Sequence, residues 1–132
     1  MKKIISSILF TASLSLGVAL AQDAKKVDDG VLKKAIADGK VAYATCSACH
    51  QPTGAGLPPV FPPVAKSDWV NNLDNESLIK IVLLGMQGEI TVSGTKYPGG
   101  AMTALAAALD DQKVADVLTY CLLYTSPSPR DA

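Results

Sequence analysis

The chain is poor in metal-binding side chains: 132 residues hold one histidine, His50, with three cysteines and three methionines. A structural zinc site takes four ligands, usually cysteine and histidine. The one histidine and three cysteines would all have to converge to build one. Basic residues do not outnumber acidic ones. Over residues 22–120, 9 lysines face 11 acids, which excludes the basic footprint of a nucleic-acid binder. Internal repeats are absent, and the one long apolar run lies at the N-terminus.

Against that sparse background, Cys46-Ser47-Ala48-Cys49-His50 stands out. C-x-x-C-H is the attachment signature of a c-type haem. Two thiols add across the two vinyl groups of the porphyrin, and one helical turn presents both sulfurs to the same ring edge. The adjacent imidazole then supplies an axial ligand to the iron. A disulfide or a thioredoxin-like pair also uses C-x-x-C. Neither needs the histidine, and no βαβ pattern surrounds this motif. One copy of the motif implies one haem.

The ends of the chain carry their own signals. Residues 1–21 have the form of a secretory signal peptide: Lys2 and Lys3, an apolar core, then Ala19-Leu20-Ala21 as the cleavage site. No cysteine follows that core to take a lipid. The expected mature protein starts at Gln22, is soluble and periplasmic, and has no stable membrane insertion after cleavage. Residues 121–132, beginning Cys121-Leu122-Leu123-Tyr124, match the in-frame translation of a transposon-end sequencing adapter. That places the end of the natural sequence near Tyr120, and the tail is not expected to continue the preceding helix. The competing reading is a Pro/Ser-rich linker to a lost domain.

Between the ends, residues 22–38 read as a charged leader and the start of a first helix expected over 31–44. Five prolines and two glycines in 51–64 exclude regular structure and predict an ordered loop against one haem face. Asp74 is the expected N-cap of a helix over 75–84 that ends at Gly85, and Asp110 of a last helix over 111–120. Residues 89–97 alternate around Ser93-Gly94, which predicts a hairpin.

A second axial ligand of the usual kinds, Met or His, would have to be a methionine, because no other histidine exists; the alternative is an open or solvent-ligated site. Met1 leaves with the signal peptide. Met86 follows a helix end, where core filling is as common a role as ligation. Met102 lies in the irregular segment Pro98-Gly99-Gly100-Ala101-Met102-Thr103 and is the expected ligand. His/Met ligation raises the potential relative to bis-histidine haem. A filled sixth position suits electron transfer and blocks oxygen or peroxide.

The stretches GKVAYATCSACHQPTGAG, FPPV, SDW, VLLGMQGEITVSGTKYPGGAM and DDQKVADVLTY resemble monohaem class I bacterial cytochromes c, over residues 39–120. They look most like the cytochromes that serve periplasmic dehydrogenases and nitrite reductases. The resemblance implies an all-α class I cytochrome c fold. Three to five helices would wrap around one covalent haem c, with a small hairpin between the third and last helices. It implies thioethers at Cys46 and Cys49, with His50 and Met102 on the iron. The Pro62 carbonyl would accept the second ring N–H of His50. Trp69 and Tyr97 become haem-pocket residues or, equally, ordinary core. Gly39 and Tyr43 would cross Tyr120 on the last helix. The family commonly has Met-Pro at the ligand, whereas Thr103 follows Met102 here.

The expected function is electron carriage rather than catalysis. A periplasmic dehydrogenase or membrane oxidoreductase would be the donor, and a terminal oxidase or reductase the acceptor. The alternatives are the cytochrome domain of a truncated larger oxidoreductase and a haem peroxidase or gas-binding protein.

Overall fold

The computed structural model describes residues 27–125, so the signal-peptide stretch and most of the adapter-like tail lie outside the described residues. Five α-helices and one hairpin follow in order: α1 (Asp29–Ala42), α2 (Ala44–His50), α3 (Asp68–Asn71), α4 (Asn75–Leu84), β1 (Ile90–Val92), β2 (Thr95–Tyr97) and α5 (Asp111–Tyr120). The hairpin lies between α4 and α5. The helices α2 and α3 are short ones that periodicity did not separate from their surroundings.

Three of the longer helices start on an aspartate. The side chain of Asp28 accepts from the amides of Gly30 and Val31, that of Asp74 from Ser77, and that of Asp110 from Lys113. Each satisfies donors that a helix N-terminus leaves unpaired. Asp28 corrects the expected start: α1 begins two residues before 31, inside the expected leader, because the cap outweighs the lack of apolar residues there. Tyr43 then breaks α1 from α2, donating its amide to the Gly39 carbonyl while its own carbonyl receives the amides of Cys46 and Ser47. The haem motif therefore occupies a short helix of its own.

In the hairpin, Ile90 pairs with Tyr97, Thr91 with Lys96 and Val92 with Thr95. Ser93 and Gly94 both have positive φ (48° and 80°), as a two-residue turn matched to strand twist requires. This register puts Val92 and Tyr97 inward, and both are buried.

The packing centre is the crossing of α1 on α5, where Tyr43, Leu109, Val114, Val117 and Tyr120 form the buried cluster. Gly39 is the contact point. A Cβ there would run into the carbonyl of Asp116 and lie 2.8 Å from the Cβ of Tyr120. The rings of Tyr43 and Tyr120 sit 5.4 Å apart at 54°, a favourable tilted pair. Beyond Tyr120 the chain differs from expectation. Residues Cys121–Thr125 continue α5 as one π-helical turn. Cys121 packs against the central cluster and two leucines follow it, while the first proline of the tail comes only at position 127.

Gly39→Val is expected to lower stability by about 1–3 kcal/mol, the range for overpacking a tight contact. Val41→Ala, at a 76 % exposed position on the same helix, is expected to stay within about 0.5 kcal/mol. Thermal unfolding of both checks this. Equal effects would remove the Gly39 contact as the point on which the crossing is built.

Candidate haem site

An apolar cavity of about 370 Å³ opens between α2, the proline-rich loop, α4, the hairpin and the segment around Met102. Cys46, Cys49 and His50 from α2 line it, as do Pro62, Trp69, Tyr97, Met86 and Met102. All seven residues expected from the sequence thus meet at one cavity. Cys46 is half-buried and Cys49 exposed, and neither is in a disulfide. Burial, and secondarily Cys49 beside it, pushes the Cys46 thiol above its ordinary pKa.

His50 is aimed by the loop. Its Nδ1 lies 2.8 Å from the Pro62 carbonyl oxygen. A carbonyl only accepts, so Nδ1 carries the proton and Nε2 keeps its lone pair for a metal. The loop is folded to deliver that carbonyl. Gly56 donates its amide to the His50 carbonyl (2.9 Å), and Leu57 and Phe61 form an isolated bridge. A Cβ on Gly56 would stand 2.7 Å from the Pro62 oxygen, so only glycine lets the two segments approach this closely. Tyr43 ties the same corner from below, its hydroxyl donating to the Gln51 carbonyl at 3.1 Å. Burial, chiefly, raises the Tyr43 pKa and keeps it a donor.

The other wall is fastened by Asp68, which sequence reasoning passed over. Its carboxylate accepts the amides of Trp69 and Ser93, both at 2.8 Å, and pins the hairpin to α3. Ser67, fully buried, caps α3 through the Val70 amide at 3.2 Å. Trp69 is half-buried and Tyr97 buried, each at the cavity and each packed. The two readings offered for these residues are not exclusive. Asp68 left little signal in the sequence because its partner Ser93 is 25 residues away. The segment Ser67-Asp68-Trp69 does carry a local one, a hydroxyl cap followed by an acid.

Residues 86 and 102 are joined directly. Met86 and Met102 exchange both backbone hydrogen bonds, at 3.2 and 2.9 Å. The irregular glycine-rich segment is thereby anchored to the end of α4. Among the described residues no group of three or more His, Cys, Asp or Glu side chains converges to hold a bare metal ion. The apolar lining, the paired thiols at the rim and an imidazole with a free Nε2 fit a haem.

The cytochrome c family model matches residues 36–122. The chain belongs to the cytochrome c family. It is a class I monohaem c-type cytochrome, and the cofactor of that family is covalently bound haem c. The cytochrome is 42 % identical over 94 residues to a cytochrome c-552 of Thermus thermophilus, covering 69 % of this chain and 62 % of that one. A second Thermus thermophilus cytochrome c-552 is 41 % identical over 87 residues, covering 64 % and 65 %. The cytochrome c subunit of the quinone alcohol dehydrogenase of Gluconobacter oxydans is 31 % identical over 84 residues, 64 % of this chain but 17 % of the subunit. The chain thus spans a little under two thirds of the length of the cytochromes c-552 it matches.

Asp68 gives the site wall a pH dependence. Its pKa is lowered from 3.8, first by the Ser93 amide. A carboxyl depressed by folding contributes stability above its unfolded pKa and loses it as pH falls through the lower folded value. The Ser93 amide shift, followed by NMR, is therefore expected to titrate with a midpoint below 3.8 and to be flat in Asp68→Asn. A midpoint at or above 3.8 would mean that the clip does not stabilise the carboxylate.

Proposed function

We propose that this cytochrome is a periplasmic one-electron carrier whose haem iron is held by His50 and Met102. The observation that carries the reading is the His50–Pro62 hydrogen bond at a cavity that also takes in Cys46, Cys49 and Met102. Bound haem supplies the ferric/ferrous couple. The chain's own residues do the rest. Cys46 and Cys49 fix the ring as thioethers, and the Pro62 carbonyl holds the His50 ring plane and tautomer. A thioether from Met102 favours the ferrous state and raises the potential. The apolar lining would shield a bound haem from water.

The signal-peptide form of residues 1–21 supports export. No helix among the described residues is long and apolar enough to cross a membrane. A periplasmic dehydrogenase or membrane oxidoreductase is the proposed donor, and a terminal oxidase or reductase the acceptor. Contacts of this kind are small and transient.

A second reading has one observation behind it. A stretch 31 % identical to this one makes up 17 % of a dehydrogenase cytochrome subunit, so this unit also suits a place within a larger oxidoreductase. A peroxidase is disfavoured by the lining of the cavity. It holds a methionine pair and no second histidine or arginine to assist O–O cleavage.

Met102→Ala in the haem-loaded protein is expected to change the reduction potential and to shift or abolish the methionine-to-iron absorption band. Potentiometry and absorption spectra check both. An unchanged potential with an unmoved band would remove Met102 as the ligand.

A further inference from the structure

Met86 and Met102 form an isolated antiparallel bridge. Residues directly opposed in an antiparallel pair send their side chains to the same face, with Cβ atoms roughly 4.5–5.5 Å apart. Both methionines are half-buried and both line the haem cavity. The bridge is braced next door by the Leu105 amide on the Val82 carbonyl (3.0 Å) and the Ala106 amide on the Leu83 carbonyl (3.2 Å). Two thioethers are therefore mounted side by side on one stiff backbone unit, aimed into one cavity. A methionine has three rotatable bonds and a soft, polarizable sulfur. Rotation alone carries its sulfur across a distance comparable to the separation of the two Cβ atoms.

We propose that Met86 is a second thioether ligand of this site, able to take the sixth position of the iron when Met102 is removed. The proposal rests on the reading that His50 and Met102 are the axial pair. It gives Met86 a role beyond filling space, for which any apolar side chain of similar volume would serve. Cys121 also lines the cavity and is the competitor to be separated from Met86, because a thiolate would bind the same metal.

The test compares haem-loaded full-length wild type, Met102→Leu and the double variant Met102→Leu/Met86→Leu. The readouts are the methionine-to-iron absorption band of the ferric protein and the rate of carbon monoxide binding to the ferrous one. Met102→Leu is expected to keep a methionine band, shifted in position. The double variant is expected to lose it and to bind carbon monoxide at least tenfold faster. A Met102→Leu protein as bandless and as reactive as the double variant would overturn the proposal. So would a thiolate spectrum that disappears on adding Cys121→Ser. A second measurement needs no variant at position 102. With ¹³C-methyl methionine in the ferrous wild type, the Met86 methyl is expected to be strongly shifted by the ring current. A Met86 methyl at an ordinary shift would place it away from the ring and end the idea. The same spectrum separates the two readings: an iron-bound methyl belonging to Met86 would overturn Met102 as the resident ligand, and the standby role with it.

Discussion

The structure depends on an apolar space that its own side chains border but do not fill. Eight apolar residues are buried among the described ones, five of them at the α1–α5 crossing. The cavity beside that crossing is lined by Ile81, Val82, Leu105, Trp69 and Val117, side chains that would otherwise meet at a core. A domain of this size has limited capacity to bury a core by itself. A flat macrocycle, covalently tied at one edge, supplies the missing apolar partner. Haem is then a structural component as much as a redox one.

Each fastening around that space has a definite cause. Gly39 lets α1 close on α5, which places Tyr43, the break that starts the motif helix. Gly56 brings the proline-rich loop close enough for the Pro62 carbonyl to meet Nδ1 of His50. Asp68 ties the hairpin to α3, and the 86–102 bridge ties the glycine-rich segment to the end of α4. Each of these contacts has a backbone carbonyl or amide on at least one side. That choice suits a site whose ligand geometry must hold through both oxidation states.

Much of this was legible in the residues, and the reasons differ from part to part. The aspartate caps at 74 and 110, Gly85 and the Ser93-Gly94 turn are local devices, so their elements stand where the sequence placed them. That Cys46, Cys49 and His50 line one cavity with Met102 was foreseeable because C-x-x-C-H is chemically specific and the chain offers few other ligands. What escaped was non-local or concealed. The four-residue α3 has no apolar period to show, and Asp68 has a partner 25 residues distant. Asp28 was hidden in a charged stretch with no apolar stripe. The extension of α5 past Tyr120 escaped because the unusual origin inferred for that stretch says nothing of its helix propensity. Cys121 packs onto the core whatever its source, and the turn it begins stays helical.

The most direct measurement is intact and peptide mass spectrometry joined to far-ultraviolet thermal unfolding, on protein made with and without active haem attachment. The account predicts one ring joined through thioethers at both Cys46 and Cys49, and cooperative unfolding only in the ring-bearing protein. A colourless, unmodified chain that still unfolds cooperatively at the same temperature would contradict it.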